Sequence, residues 1–212
     1  MFKKPPSRAE IIAEDPLGEF FVWWDDLTLN DVEKFRQCLS VAQREQDLQS
    51  FLEANPLALI QHLGGGHGRW VIPRKRLGAE HVTDFIIGER SSLGFEWTAV
   101  ELESPRAGMF TKAGDPTRTL THAIRQVQDW RAWLQRNQNY AARSRLEGGL
   151  GLTDVTASLK GLILLGRRND SDPATNERRR QMGQDLNIDI HSYEFVLESC
   201  QGRLAWTERP RF

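Results

Sequence analysis

The chain has 212 residues, of which 39% are apolar and 27% are charged, and its formal net charge is -1. This balance fits one globular domain, or one domain with an extension, and excludes nucleic-acid binding through a global basic field. The two cysteines, Cys38 and Cys200, have no partners at metal-ligand spacing, which excludes a zinc ribbon and argues against a disulfide framework. No long apolar run is present, so we expect no membrane partner and a cytoplasmic location.

Residues 1–29 are predicted to be an N-terminal extension of a domain that spans residues 30–212. The run FFVWWDD (20–26) is too aromatic to remain in water. We therefore expect this segment to pack back on the domain or on a partner chain.

Helical periodicity begins at Asn30, and a second apolar run ends near Asn55, because Pro56 disfavours α conformation in the residue before it. Glu45 lies on the same helical stripe as Leu48. A glutamate in this position either reaches solvent at the edge of the stripe or belongs to a functional site.

The middle of the chain has the patterns of strands. RWVIPRKRLG (69–78) predicts a short strand and a basic turn, whereas HVTDFIIG (81–88) and FEWTAVELESP (95–105) predict two strands of a hairpin. The glycine-rich run 64–68 is not followed by Gly-Lys-Ser/Thr, so it is not interpreted as a phosphate-binding loop.

A loop over 106–118 precedes a helix from about Thr119 to Asn137. The apolar run GLILLG (161–166) predicts a buried strand, a polar helix starts near Pro173, and residues 187–198 predict a strand and a short helix. The order of elements predicts an α/β fold with a mixed central sheet flanked by helices.

Two glutamates, Glu101 and Glu103, end the second hairpin strand and share one face with Trp97. If the hairpin turns between Ser92 and Leu93, cross-strand residue numbers sum to about 185, which places Asp84 opposite Glu101. Crowded carboxylates need either a proton or a cation between them, and oxygen ligands suit Mg²⁺ or Mn²⁺. The alternative is a solvated acidic face. Trp97 is expected in the core, with stacking on a base as the alternative.

Basic residues are clustered at Arg74-Lys75-Arg76, Arg167-Arg168 and Arg178-Arg179-Arg180. Each cluster is either an ordinary solvated face or a local phosphate-binding patch.

Four segments together resemble the Shedu anti-phage defence nucleases, a branch of the PD-(D/E)xK superfamily. They are EQDLQSFLEANPLAL (45–59), TDF (83–85), AVELESP (99–105) and HAIRQVQDW (122–130). The first resembles the family's glutamate-bearing helix, and the next two resemble its metal-binding aspartate and its E-x-K strand. The fourth resembles the following helix, in which a glutamine faces the site. The resemblance implies a restriction-endonuclease-like fold.

The resemblance implies that Asp84 and Glu101 hold a divalent metal, Mg²⁺ or Mn²⁺, and that Glu45 completes the site through water. Gln126 would orient a ligand, a water or a phosphate. Glu103 stands where the family has lysine, so the catalytic set would be Asp84, Glu101, Glu103, Glu45 and Gln126. Glu103 would act as a further ligand or a general base, and Lys112 and Lys160 are candidates for the missing cation.

The implied activity is metal-dependent DNA endonuclease cleavage in a bacterial defence role, with self-association also implied by the resemblance. Phosphates would be contacted by the basic residues nearest the site in sequence, Arg74, Lys75, Arg76 and Arg106. Two alternatives remain. One is a catalytically inactive nuclease-fold protein that binds nucleic acid or a protein partner, and the other is an assembly protein whose carboxylates form a solvated face.

Overall fold

The computed structural model describes residues 17–64, 68–168 and 173–207. The α-helices are α1 (Leu29–Val41), α2 (Glu45–Ala54), α3 (Arg118–Ala142), α4 (Pro173–Leu186) and α5 (Glu194–Thr207). The strands are β1 (Gly68–Pro73), β2 (Arg76–Leu77), β3 (His81–Val82), β4 (Phe85–Ser91), β5 (Gly94–Leu102), β6 (Lys160–Leu164) and β7 (Ile188–His191). Short 3-10 helices occupy Gly18–Phe20, Trp24–Asp26, Pro56–Ile60 and Arg145–Glu147.

The central sheet has five strands in the order β1-β4-β5-β6-β7, and β2 and β3 form a separate two-stranded ribbon. The pairs β1–β4 and β4–β5 are antiparallel, whereas β5–β6 and β6–β7 are parallel. Residues 161–164 of β6 are all buried, as expected of a parallel strand covered on both faces. The predicted α/β architecture, a mixed sheet flanked by helices, is confirmed.

Each face of the sheet is covered by its own apolar core. Alternate side chains such as Ile86 and Ala99 join the core beneath α3 and α4. Their neighbours Phe85 and Val100 join the core beneath α1, α2 and α5. The period of two along the strands therefore distributes the apolar residues between two helical layers.

The helix boundaries agree with the sequence patterns at most positions. The helical pattern that begins at Asn30 is two helices, and α2 ends at Ala54, one residue before Asn55. Helix α3 extends beyond the predicted range, but Asn137 itself has non-helical dihedral angles (φ -128°, ψ 20°). The helix after β7 was expected to be short and has 14 residues.

The aromatic segment packs back on the domain, as expected. The backbone N–H of Val22 donates to the Arg69 carbonyl at 2.9 Å, and the rings of Phe21 and Trp70 meet edge to face at 5.3 Å. Leu17 and Leu27 are buried in the two different cores. The division at residue 29 stays a prediction, and residues 1–16 of the proposed extension lie outside the described residues.

One arginine ties the parallel half of the sheet together. The Arg131 guanidinium donates to the carbonyls of Leu159, Leu186 and Asn187, each at 2.7 Å. These carbonyls flank β6 and β7, so α3 holds the starts of both strands in place. Within the described residues, no helix combines the length and apolar character needed to cross a bilayer.

Gly88 lies opposite Trp97 in the β4–β5 pair, and a Cβ at Gly88 would lie 2.4 Å from the Trp97 ring. Trp97 is 5% exposed, in agreement with its predicted core role. Gly88→Ala should therefore lower the free energy of unfolding by about 1–3 kcal/mol, measured by urea denaturation.

Gly202 is the matched control, because it lies at an exposed position of α5 and a Cβ there would have no atom within 4 Å. Gly202→Ala should leave stability unchanged or raise it by up to about 1 kcal/mol. Equal unfolding midpoints for Gly88→Ala and the wild type would contradict the packing at Trp97.

Candidate active site

The register of the β4–β5 hairpin is the one expected from the sequence. Phe85 pairs with Val100, so Asp84, immediately before β4, lies opposite Glu101. The Asp84 carboxylate accepts the Leu102 N–H at 2.8 Å, and the Asp84 carbonyl accepts the Arg74 N–H at 2.8 Å. The backbone on both sides therefore fixes Asp84 at the end of the sheet.

Glu101 is the most deeply buried carboxyl group of the site, at 5% exposure. Its Oε1 accepts a hydrogen bond from Gln126 Nε2 on α3, and its carboxyl group is hydrogen-bonded to that of Asp84. Burial, followed by the nearby charges of Asp84, Glu103 and Glu45, raises the pKa of Glu101 to about 10. Burial also raises the pKa of Asp84. Asp84 and Glu101 therefore share a proton at neutral pH when no cation is bound.

Glu103 is held by its backbone and aims its side chain toward α3. Its N–H donates to the Leu164 carbonyl at 2.9 Å, and its carbonyl accepts the buried Tyr193 hydroxyl at 2.7 Å. Its Oε1 lies 3.4 Å from His122 Nδ1. The side chain of Glu103 is 12% exposed, whereas that of His122 is 51% exposed. Burial raises the pKa of Glu103, and the hydrogen bond from His122 opposes this change.

Glu45 approaches from the opposite face of the sheet, as the first residue of α2. Its pKa is raised to about 7, first by burial and then by Asp84 and Glu103, while His122 and Arg74 lower it. This mutual influence places Glu45 in the same electrostatic cluster as the hairpin carboxylates.

The structure thus brings together all five residues of the predicted catalytic set: Asp84, Glu101, Glu103, Glu45 and Gln126. In the described part of the chain, no lysine or arginine forms a salt bridge with any of the four carboxylates. Ligand atoms of Glu101, Glu103 and His122 lie within 4.8 Å of one another. Such crowding of negative charge is relieved by a divalent cation, and the donors fit a hard metal ion with one imidazole.

The basic residues proposed for phosphate contact are placed differently from one another. Arg74 adopts a positive φ of 46° and its Nε lies 2.7 Å from Glu53, yet its charge still lowers the pKa of Asp84 and Glu45. The partly buried Lys75 donates to the Leu150 carbonyl at 2.8 Å, so its ammonium group is engaged within the protein. Arg76 and Arg106 are exposed.

The two lysines considered as replacements for the family lysine also differ. Lys160 pairs with Asp189 at 2.7 Å, and it starts β6, whereas Glu101 lies opposite Ile163 further along that strand. The structure therefore does not bring Lys160 into the cluster. Lys112 is exposed in the loop before α3 and makes no described contact with the carboxylates.

His122 and Tyr193 were not predicted as site residues. His122 lies four residues before Gln126, and this spacing on α3 puts both on the face toward β5. That spacing was visible in the sequence. The contact from Tyr193 to the Glu103 carbonyl, 90 residues away, depends on the parallel β6–β7 pairing and left no local sequence signal.

The molecule is an α/β protein with a carboxylate cluster at one end of its mixed sheet. The family model described as Shedu protein SduA, C-terminal, matches residues 42–196. The chain belongs to this Shedu family, which confirms the resemblance seen in the sequence.

Among solved structures, the chain is similar to the restriction endonuclease FokI in its DNA-bound structure. The two share 12% sequence identity with a TM-score of 0.47, over 98% of this chain and 31% of the FokI chain. At this distance the likeness carries no statement about function. No curated protein sequence matches the chain significantly.

The raised pKa values of the carboxyl groups predict how the stability of the metal-free protein changes with pH. Glu45 and Glu101 bind their protons more tightly when folded than when unfolded, so the folded state carries the excess protons above about pH 4.5. His62 and His191, whose pKa values are lowered to about 4 by burial, change stability in the opposite direction only below about pH 6.5. The free energy of unfolding in EDTA should therefore fall as pH rises from 7 to 9, and it should fall less steeply in Glu101→Gln. Urea denaturation at several pH values measures both slopes.

Glu96→Gln is the control, because Glu96 is exposed on the same strand. An equal pH slope in the wild type and Glu101→Gln would contradict a buried, protonated Glu101.

Proposed function

We propose that the protein is a metal-dependent DNA endonuclease of a Shedu-like anti-phage defence system. The observation that carries the proposal is the convergence of Asp84, Glu101 and Glu103 at the end of β5 without an arginine or lysine partner among the described residues. Family membership supports the defence role. The substrate would be a phosphodiester bond of DNA.

In this proposal Mg²⁺ or Mn²⁺ is held by Asp84, Glu101 and Glu103, with His122 as a nitrogen donor and Glu45 as a contact through water. A bound divalent ion would polarise the phosphate and lower the pKa of a coordinated water. Gln126 fixes the Glu101 carboxylate by hydrogen bonding. This supporting contact keeps a metal-binding oxygen in one orientation.

In this proposal Glu103, supported by His122, takes the catalytic role of the family's lysine. The contact with His122 orients the Glu103 carboxylate, which would accept a proton from the attacking water. Neither Lys112 nor Lys160 is needed for this role.

The alternative function is a nuclease-fold protein that binds DNA or a protein without cutting. Glu103 in place of lysine is the observation that favours it. Under this alternative, the wild type would bind Mn²⁺ or DNA without cleaving, and Glu103→Lys would change only local charge. Cleavage gained by Glu103→Lys would instead reveal a latent active site.

Cleavage assays with linear and circular DNA, in Mn²⁺ and in Mg²⁺, test the proposal. The wild type should cleave, and Glu101→Gln should lower the rate at least about 100-fold, because it removes a charged metal ligand at the centre of the cluster. Glu96→Gln should cleave like the wild type, since it removes the same charge at an exposed position of β5.

Equal cleavage by the wild type and Glu101→Gln would overturn the assignment of the site. If neither protein cleaves, calorimetry with Mn²⁺ separates the remaining cases. Binding that is lost in Glu101→Gln would support an occupied but inactive site, and no binding by either protein would support an acidic face without a metal. The self-association implied by the family is tested separately by sedimentation.

A further inference from the structure

The structure separates the three basic clusters of the sequence into different environments. Arg167 is bound to Glu194 and to the Leu39 carbonyl, and Arg168 is bound to Glu198. Arg74 and Lys75 have internal partners, as described above. These four cations are therefore occupied by the protein's own groups.

Arg179 and Arg180 differ from the other clusters. Both line a groove of about 430 Å³ between α4 and the outer edge of β7. In the part of the chain that the structure describes, neither has a salt-bridge partner. Arg180 is exposed and Arg179 is half-buried. Two guanidinium groups thus line one groove, and neither forms an ion pair with a carboxylate of the described residues.

The other walls of the groove keep its net charge positive. Lys160 and Asp189 pair with each other at 2.7 Å and so neutralise one another. The His191 ring stacks on Phe195 with a centroid separation of 3.9 Å. Burial and the adjacent Arg179 lower the pKa of His191 to about 4, so this ring is neutral at pH 7. The two arginines are the uncompensated charges.

The environment of Arg179 indicates what kind of ligand would suit the groove. Its pKa is lowered first by burial and then by Arg168 and Arg180, so the main charges acting on it are of like sign. Keeping like charges together in a partly buried position is unfavourable unless an anion joins them. Guanidinium groups match phosphate oxygens in geometry and are the common partners of nucleic-acid backbones.

We propose that this groove binds phosphates of duplex DNA, as a second contact beside the active site. The proposal rests on the proposed nuclease function. In the sheet, β7 lies two strand positions from β5, so the two strands are separated by about 10 Å. One duplex can span this distance with phosphates a few base pairs apart. The contact would fix the position of the DNA without reading its sequence.

The test compares DNA binding by the full-length wild type and by the double variant Arg179→Gln/Arg180→Gln. Fluorescence anisotropy with a labelled 30-base-pair duplex, in EDTA and at several salt concentrations, gives the Kd and its salt dependence. Each lost phosphate contact reduces the slope of log K against log salt by about 0.9. The double variant should therefore lose about 1.8 from the slope and bind at least tenfold more weakly at 0.1 M salt.

The control Arg36→Gln/Arg136→Gln removes the same charge from exposed positions on α1 and α3. It should bind DNA nearly as the wild type does. The single variant Arg180→Glu serves as a second probe, because Arg180 is exposed and its replacement does not disturb packing. It too should weaken binding, and circular dichroism verifies that each variant is folded.

A salt slope for the double variant equal to that of the wild type or of the control would overturn the groove proposal, as would a wild type that does not bind the duplex at 50 mM salt. A change in oligomeric mass without a change in DNA binding would overturn it in favour of a second copy of the chain. Cleavage is measured separately, so loss of DNA binding in a protein that never cleaves would support the groove while the nuclease proposal fails.

Discussion

The alignment of β4 with β5 is the constraint on which the candidate site depends. Asp84 meets Glu101 only because Phe85 pairs with Val100. A shift of one residue would turn Glu101 toward the opposite core and remove it from Gln126. The close contact between Gly88 and the Trp97 ring resists such a shift, because no other pairing places a glycine beneath that ring. A packing contact some distance away thus fixes the geometry of the acidic cluster.

The same alignment sets the electrostatics of the cluster. Helix α3 supplies Gln126 and His122 from one face of the sheet, and α2 supplies Glu45 from the other. Each layer buries the carboxyl groups further, and burial is the largest cause of every raised carboxyl pKa at the site. The two cores therefore crowd buried carboxyl groups at one position, where each disfavours the ionised form of the others unless a cation is bound.

Much of this arrangement was predictable from local sequence signals. Strand alternation and the centre of one loop placed Asp84 opposite Glu101, and Pro56 marked the end of α2. Contacts of the long basic side chains were not predictable, because a flexible lysine finds partners far away in sequence. Lys75, for example, donates to the carbonyl of Leu150, which lies 75 residues away in the sequence. The length of α5 was also missed, because its residues show little helical amphipathicity.

The three carbonyls bound by Arg131 connect a helix from the middle of the chain with strands made much later. Until residues beyond 187 have left the ribosome, this arginine lacks two of its three acceptors, and β6 has only one neighbour. Contacts between residues so distant in sequence form late in folding. A nascent chain that already carries Glu45, Asp84, Glu101 and Gln126 would therefore lack the finished sheet that holds them. The order of synthesis itself would delay completion of the sheet around the acidic cluster until β7 has been made.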